Sequence, residues 1–414
     1  MLFHSRILLC LPLLPCLISA VSVTVPKPDR VVKRAPTCTP ASAGDPTIDD
    51  VPAILEAIQE CGDGGVIVIP EDTEYIMASR IVFDGCIDCD FQLEGTLTAS
   101  EDLSYWNTTR EMILFDKVAG GKFRSLTGKG VIDGKGQVSY DWFGEHGNIQ
   151  RPVLFSIGGS SDITLSGIKM VNPHVAFVYV GHGSERIDIS DLDMSAVSES
   201  EYGPRNTDGF DIAEASHVTL TNIKVVNQDD CVAFKPGCDY VSVQNIECDG
   251  SHGLSVGSLA KYPGSVDSVT NVWVKGARMI NSSKAIGIKI YPGGPNYGTA
   301  VVRNMTWEDI YVENCDSTFQ SEACYEPPNK DRSYCEANPS ASEITDVFVR
   351  NLTGTTNDRY GGTTGYVYCP VEGENCQIHI EDFEVTSAVS PSEFLCDKID
   401  PDVLGIDCVP TDPY

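Results

Sequence analysis

The chain has 414 residues, of which 42% are hydrophobic, and this composition excludes a disordered or collagen-like protein. Its 29 basic and 59 acidic side chains give a formal charge of −30. A protein this acidic is repelled by nucleic acid and by anionic membranes, so neither is expected as a partner.

The N-terminal region is predicted to be removed during secretion. An apolar run follows Arg6 and ends in small residues, which is typical of a signal peptide over residues 1–20 and too short for a membrane span. A buried N-terminal helix is the alternative. A dibasic pair ending at Arg34 predicts a propeptide over 21–34. Residues 35–414 then form one secreted, extracellular domain.

The cysteines and sequons agree with secretion. Of 16 cysteines, two fall in the signal peptide, and the even number that remains favours disulfides over metal or redox thiols. Cys86 and Cys89 form a CxxC motif, but without a second such motif or a nearby His a zinc site is not favoured. Four sequons predict N-glycosylation, at Asn107, Asn281, Asn304 and Asn351.

The first predicted element is a short amphipathic helix within residues 47–61. Its apolar side chains recur at helical spacing, at Val51, Ile54, Leu55 and Ile58. Asp49 or Asp50 is the expected N-cap, and Gly62 follows the end. A disulfide between Cys38 and Cys61 could hold the helix in place. The apolar stretch GGVIVIP after it is predicted to be a strand.

From residue 160 onward an eight-residue pattern recurs, apolar-x-apolar-x-x-apolar-x-apolar. It occurs as ITLSGIKM (163–170), IDISDLDM (187–194), VTLTNIKV (218–225), VSVQNIEC (241–248), VWVKGARM (272–279), MTWEDIYV (305–312), VFVRNLTG (347–354) and IHIEDFEV (378–385). Apolar residues at period two predict half-buried strands, and the two-residue skip predicts a corner.

These repeats predict an all-β, single-domain parallel β-solenoid. One unit cannot bury its apolar side alone, whereas stacked units can, and the helix within 47–61 would cover the open N-terminal end. A β-sandwich would need short hairpin turns such as Asn-Gly between the strands. An α/β fold would need helices in linkers that are instead rich in Gly, Ser and Asn.

Three polar segments interrupt the apolar pattern in the middle coils. They are Asn206-Thr207-Asp208-Gly209-Phe210-Asp211, Asn227-Gln228-Asp229-Asp230-Cys231 and Gly250-Ser251-His252-Gly253. Asp230 lies 12 residues and His252 lies 11 residues after the start of its own repeat, and Asp208 precedes Asp230 by about one coil. Three carboxylates and an imidazole are therefore predicted to converge on one face.

Such a cluster suggests two kinds of chemistry. Neighbouring carboxylates cannot all ionise cheaply, so at least one should have a raised pKa. A protonated acid beside an ionised base is what cleavage of a glycosidic bond requires. Three Asp side chains and one His could instead bind a cation such as calcium.

At these residues the chain resembles glycoside hydrolase family 28, the pectin-degrading polygalacturonases, with motifs Asn-Thr-Asp, Asp-Asp, Gly-His-Gly and Arg-x-Lys. The first two match in full, His252-Gly253 follows Ser251 instead of Gly, and Gly287 stands where the fourth motif has Arg. The resemblance covers essentially all of residues 35–414. It implies a right-handed parallel β-helix and a monomeric, cofactor- and metal-free inverting hydrolase of α-1,4-linked galacturonic acid in pectic polysaccharide or oligogalacturonide.

The resemblance also implies the catalytic roles. Asp229 would be the general acid, and Asp208 and Asp230 would activate the attacking water at a separation of roughly 6.5–9.5 Å from the acid. His252 would set protonation states in the site. Lys289 would bind a substrate carboxylate.

Other residues would support the site by the same resemblance. Asn206, Gln228 and Tyr291 would contact substrate, and Cys231 and Cys248 would form a disulfide beside it. Because the protein is so acidic, Lys289 and Lys235 are expected to offset its charge locally, in a mildly acidic medium.

The stretches NQDDCVAFKPG and GSHGLSVGSL are most like those of the fungal exo-acting members, the galacturan 1,4-α-galacturonidases. They predict release of galacturonic acid from the non-reducing end. The sixth and seventh repeats start 42 residues apart, and the linker between them, which contains Cys315, Cys324 and Cys335, would form a wall at one end of the groove. Gly287 keeps a rhamnogalacturonan or xylogalacturonan backbone open, and an endo-polygalacturonase remains an alternative.

Two alternatives from other functional classes also remain, a lyase and a noncatalytic binding protein. A pectate lyase would share the solenoid and the substrate but would need calcium and a basic residue for proton abstraction. A noncatalytic carbohydrate-binding solenoid would bind pectin without releasing sugar, and it would have no need for three clustered carboxylates.

Overall fold

A computed structural model describes residues 35–371, 373 and 375–410. The predicted signal peptide (1–20) and propeptide (21–34) lie outside the described residues. Among the described helices, none is long and apolar enough to cross a bilayer.

The chain winds into a right-handed parallel β-helix, in which each coil contributes strands to two long sheets. Within the described residues, one sheet has 16 strands: β1 Thr37–Cys38, β2 Val66–Ile69, β3 Glu74–Met77, β5 Asp90–Leu93, β6 Thr96–Ala99, β8 Lys122–Arg124, β9 Val131–Asp133, β11 Ser161–Ser166, β12 Lys169–Val171, β14 Ser184–Ser195, β16 Ala215–Val226, β18 Cys238–Asp249, β20 Val266–Ile280, β22 Thr299–Cys315, β24 Glu343–Thr356 and β26 Cys376–Ser387. We call it the long-strand sheet.

The other sheet has 12 strands in the same part of the chain: β4 Ile81–Val82, β7 Glu111–Asp116, β10 Val153–Gly158, β13 Val178–Gly181, β15 Phe210–Ile212, β17 Val232–Phe234, β19 Leu254–Leu259, β21 Ile286–Ile290, β23 Phe319–Glu322, β25 Thr363–Tyr368, β27 Glu393–Asp397 and β28 Val409–Pro410. We call it the short-strand sheet. The described helices are α1 Val51–Cys61, α2 Leu103–Trp106, α3 Gln137–His146, the 3-10 helix Pro328–Lys330, α4 Ser333–Ala337 and α5 Pro401–Leu404.

The eight repeats lie directly over one another in the long-strand sheet. The first apolar residue of each repeat pairs with the first of the next, in the order Ile163, Ile187, Val218, Val241, Val272, Met305, Val347 and Ile378. All eight side chains are buried in one continuous core. The prediction of a parallel β-solenoid is confirmed.

The corner of each repeat has a backbone conformation that accounts for its residue type. The fifth position has a positive φ in all eight repeats, at Gly167, Asp191, Asn222, Asn245, Gly276, Asp309, Asn351 and Asp382. Only Gly, and to a lesser degree Asn and Asp, adopt this left-handed conformation at low cost. Stacked corners also bond to one another, because Asn245 donates to Asn222, which donates to Asp191.

The predicted N-terminal cap is present as α1, which begins at Val51 and packs its apolar face on the first coil. Asp49 accepts a hydrogen bond from the Val51 amide at 3.2 Å and so serves the helix start. The Asp50 side chain instead accepts a hydrogen bond from the backbone amide of Ile76 on β3. A disulfide joins Cys38 to Cys61.

The cysteines outside the signal peptide are not all paired. Six disulfides form, Cys38–Cys61, Cys86–Cys89, Cys231–Cys248, Cys324–Cys335, Cys369–Cys376 and Cys396–Cys408. Cys238 and Cys315 are buried free thiols in long strands. An even cysteine count therefore did not mean complete pairing here, because these two side chains belong to the apolar core.

Candidate active site

The three polar segments lie at stacked corners, just before β15, β17 and β19. The amide of Gly209 donates to the carbonyl of Asp230 at 2.9 Å, and the amide of His252 donates to the carbonyl of Asp229 at 2.8 Å. These ladder bonds bring the predicted residues of neighbouring coils to one side of the solenoid. Residues about 22 positions apart in the chain thus become neighbours.

Asn227 holds the backbone of this corner, although the sequence pattern did not single it out. Its buried Nδ2 lies 2.7 Å from the carbonyl of Thr207 and 3.0 Å from the carbonyls of Asp229 and Asp230. A buried amide with three carbonyl neighbours keeps these turns in one arrangement.

Asp229 is the acid of the cluster that faces a cavity of about 950 Å³. Its side chain is 20% exposed and lies 3.3 Å from Nδ1 of His252. Asn206 donates to its other oxygen at 3.2 Å. Burial alone would raise the pKa of Asp229, but the hydrogen bond and charge of His252, the Asp230 amide and the charge of Lys289 together lower it to about 2.

Asp230 forms a buried ion pair with Lys289. The Lys289 ammonium lies 2.7 Å from Oδ2, and the two side chains are only 14% and 2% exposed. Within the part of the chain that the structure describes, the buried Oδ1 of Asp230 accepts no hydrogen bond. Asp230 therefore has one oxygen held by a cation and one available as an acceptor.

Asp208 is the carboxyl of the cluster best suited to hold a proton. Burial raises its pKa well above the ordinary value, and the charges of Asp211, Asp229 and Asp230 raise it further. Lys235 opposes these effects at 3.8 Å from Asp208 and 3.2 Å from Asp211. The electrostatics of the free protein thus favour a protonated Asp208 beside an ionised Asp229.

Arg151 supports the cluster from two coils away, before β10, and the motifs did not reveal it. Its guanidinium donates to Oδ1 of Asn206 at 2.7 Å and to the carbonyl of Arg205 at 2.7 Å, and it lies over the ring of Phe143. Because Asn206 also donates a hydrogen bond to Asp229, Arg151 orients the side-chain amide that holds this partly exposed acid.

A cavity of about 950 Å³ opens over Asp229 and is lined by Asn206, Gln228 and His252 as well. Toward the N-terminal coils, a cavity of about 210 Å³ lies between α3 and the loop of residues 201–205. Toward the C-terminal coils, a cavity of about 340 Å³ is lined by residues of β23, β25 and β27. Concave space therefore exists on both sides of the acids.

A family model described as glycosyl hydrolases family 28 matches residues 65–405. The chain belongs to glycosyl hydrolase family 28. It is a glycoside hydrolase that acts on pectic polysaccharide, and the family predicted from the four motifs is confirmed.

Relatives of this family 28 enzyme agree along almost the whole chain. Endo-xylogalacturonan hydrolase A of Aspergillus tubingensis is 46% identical over 381 residues, 92% of each chain. A probable endo-xylogalacturonan hydrolase A of Aspergillus oryzae is 44% identical over 390 residues, 94% of each chain. The crystal structure of the A. tubingensis enzyme matches with a TM-score of 0.86 and covers 90% of this chain and 99% of that one.

These relatives do not support the expected likeness to exo-acting enzymes, because their names describe endo-acting hydrolases. The predicted wall also differs in detail. Cys324 and Cys335 are bonded to each other, while Cys315 stays free in β22. Tyr325 and Tyr334 of this segment pack against tyrosines that follow β21.

Two predicted substrate contacts of the family 28 enzyme have protein partners in this structure, and their contact with substrate stays a prediction. Tyr291 is only 6% exposed, and its hydroxyl donates to Glu326 in the loop after β21. Lys289 donates to Asp230 rather than facing open solvent. Likewise Lys235 pairs with carboxylates of the site, so both lysines neutralise protein acids.

Asp229, Asp230 and His252 present ligand atoms within 4.8 Å of one another, which is a possible cation site. The donor set fits calcium poorly, because calcium takes six to eight oxygens and one of these three ligands is an imidazole. The Lys289 ammonium beside Asp230 would also repel a cation.

Proposed function

We propose that this family 28 enzyme is an endo-acting hydrolase of xylogalacturonan, the pectin backbone of α-1,4-linked galacturonic acid that bears xylose. The proposal rests on the likeness to the crystal structure of an endo-xylogalacturonan hydrolase. The two chains are 46% identical and superpose with a TM-score of 0.86, and the match covers 90% of this chain. A likeness spread over the whole chain includes the walls of the groove as well as its acids.

The cavities support internal cleavage. The acids lie between two further cavities, one beside α3 and the loop of residues 201–205 and one over β23, β25 and β27. A polysaccharide bound over Asp229 can therefore extend in both directions, whereas an exo-acting enzyme needs one end closed. At Gly287, where the family motif has Arg, the surface of β21 carries no guanidinium, and the side chain of Lys284 crosses it instead.

In the proposed mechanism Asp229 protonates the leaving oxygen, because it is the carboxyl of the cluster that lines the cavity. A sugar bound over Asp229 removes its remaining water and brings a uronate charge close. Both effects raise the pKa of Asp229 and favour transfer of the cluster's proton to it.

Asp208 and Asp230 activate the attacking water, and the unpaired Oδ1 of Asp230 is suited to accept its proton. His252 holds Asp229 through its imidazole. Oxygens of Asp229 and Asp230 lie within 4.8 Å, closer than the separation expected for inversion. Inversion stays a prediction, to be measured from the anomer released first.

Product analysis tests the proposed function. On xylogalacturonan the enzyme is expected to release a ladder of oligosaccharides from the start of the reaction, faster than on unbranched polygalacturonate. EDTA should leave the rate unchanged, because the mechanism uses no metal. Release of monomer alone would show exo action. An unsaturated uronide whose formation EDTA stops would show a lyase, and binding without release of sugar would show a noncatalytic protein.

The activity should also depend on pH through Asp208. Above the raised pKa of Asp208 the cluster loses the proton that the leaving oxygen needs, so kcat/KM should fall as the pH rises through that value. Asp211→Asn removes a negative charge that raises this pKa and leaves Lys235 to act on Asp208. The alkaline limb should therefore move to lower pH.

The measurement is the pH profile of kcat/KM for the wild-type enzyme and the variant. Glu214→Gln is the matched control, because Glu214 is an exposed acid that follows β15. Its profile should match that of the wild type. If the alkaline limb of the kcat/KM profile moved to higher pH in Asp211→Asn, this result would contradict the assignment of the retained proton to Asp208.

A further inference from the structure

Gly287 leaves space that the side chain of Lys284 occupies. A Cβ built on Gly287 would lie 2.7 Å from Cε of Lys284 and 3.2 Å from its Cδ. It would also lie 3.0 Å from Oγ of Ser255, on the neighbouring strand β19. The lysine chain therefore crosses the outer surface of β21 at Gly287, two residues before Lys289 on the same face of the strand.

Lys284 differs from the other lysines of the site in its partners. Lys289 is bound to Asp230 at 2.7 Å, and Lys235 lies 3.2 Å from Asp211. Among the described residues, no carboxylate lies within ion-pair distance of the Lys284 ammonium, and no acceptor is hydrogen-bonded to it. Lys284 is nevertheless only partly exposed.

A partly buried ammonium without a partner is costly, because it loses water and gains no counter-charge. Burial lowers the pKa of Lys284, while the nearby charges of Asp230 and Asp229 act in the opposite direction. An anion brought by the substrate would supply the missing hydrogen bonds beside the acids. The substrate proposed above carries one carboxylate on each backbone sugar.

We propose that Lys284 binds the carboxylate of the galacturonate bound next to the catalytic acids. This inference rests on the proposed function. Lys284 reaches the site from the corner before β21, and it can do so because residue 287 has no side chain. An arginine at position 287 and a lysine at position 284 would compete for the same volume, so the glycine and the lysine act as a pair.

The geometry also has a consequence for specificity. A lysine offers a compact point charge on a flexible stem, whereas an arginine offers a planar fork with fixed geometry. A charge delivered from residue 284 leaves the surface above Gly287 without a rigid guanidinium. The uronate would thus be recognised by a flexible ammonium rather than by a fixed guanidinium fork.

Lys284→Met tests the proposal, with Lys284→Arg as the charge-conserving variant and Lys169→Met as the control on an exposed lysine of β12. For Lys284→Met, KM on xylogalacturonan should rise by about 10- to 100-fold with kcat changed far less, because a charged hydrogen-bond partner of the substrate is lost. Lys284→Arg should restore most of the affinity. Thermal unfolding of each variant shows that it is folded.

Competition distinguishes a carboxylate receptor from a merely structural lysine. Free galacturonate should inhibit Lys284→Met at least about tenfold more weakly than the wild type, whereas inhibition by neutral galactose should be the same for both. Gly287→Arg should also raise KM, and Lys284→Ala combined with Gly287→Arg should recover part of the loss, because the guanidinium then has the space.

An unchanged KM and unchanged galacturonate inhibition in Lys284→Met would overturn the proposal. So would a fall in kcat alone with a displaced pH profile, because Lys284 would then act on the acids. A wild-type enzyme that releases no sugar would refute the proposed function instead. In that case calorimetric binding of oligogalacturonate to the wild type and to Lys284→Met decides the role of Lys284 separately.

Discussion

Replacing Asp229 with Asn is expected to reduce kcat on the preferred polysaccharide by about 10²- to 10⁴-fold while the protein stays folded. Asn is similar in size and retains a hydrogen-bonding side chain, but it cannot transfer a proton to the leaving oxygen. Asp229 is partly exposed at the cavity, so its loss leaves no buried charge unpaired. Initial rates of reducing-sugar release, together with the circular dichroism spectrum, measure both parts of this prediction.

Asp193→Asn is the matched control, because it makes the same chemical change at an exposed acid on β14. It should retain wild-type activity. Substantial residual turnover in Asp229→Asn would assign the proton donor elsewhere. Asp208 would then be the first candidate, since its pKa is already raised in the free protein.

Lys289→Met should destabilise the protein by about 3–5 kcal/mol in the free energy of unfolding. The substitution keeps most of the side-chain volume but removes the ammonium from a carboxylate that is only 2% exposed. Asp230 would then be a buried charge without a counter-ion. Chemical denaturation of wild type and variant, followed by circular dichroism, measures the loss.

A double-mutant cycle separates the ion pair from simple packing. Asp230→Asn combined with Lys289→Met removes both charges, and it should recover much of the stability lost in Lys289→Met, although not the activity. Lys275→Met is the control, because Lys275 forms a more exposed ion pair with Glu308 on the long-strand sheet. Its effect should stay below about 1 kcal/mol. Equal losses in Lys289→Met and Lys275→Met would contradict a special role for the buried pair.

The fold was predictable because its determinants are local and periodic. A half-buried strand alternates apolar and polar residues, and the fifth position of each repeat, where φ is positive, is Gly, Asn or Asp. Both features are visible in each repeat. Ile187 pairs with Val218, and Val218 pairs with Val241, because equivalent positions of successive repeats lie over one another.

The candidate site was predictable only in part. The spacing of Asp208, Asp230 and His252 matches the length of one coil, so their convergence could be inferred. The partners of the lysines could not, because Lys289 and Asp230 are 59 residues apart and their contact depends on where each coil closes. The resemblance predicts a substrate contact for Tyr291, but it could not predict the hydrogen bond from Tyr291 to Glu326, 35 residues later in the chain.

Two contributors to the site have no sequence motif of their own. Arg151 acts through a hydrogen bond to Asn206, 55 residues later in the chain. Lys284 is recognisable only once the missing side chain of Gly287 is seen to make room for it. In each case the signal is a distance in space rather than a pattern along the chain.

For this protein, the order of apolar and polar residues alone determined the solenoid, the position of its corners and the coils that carry the acids. Those properties follow from the burial of side chains within single repeats, which is a short-range requirement. Only the tertiary structure decided which carboxyl retains a proton, which lysines are neutralised and which one remains for the substrate. Charges interact through space over a few ångströms, and that spacing is set by the stacking of coils.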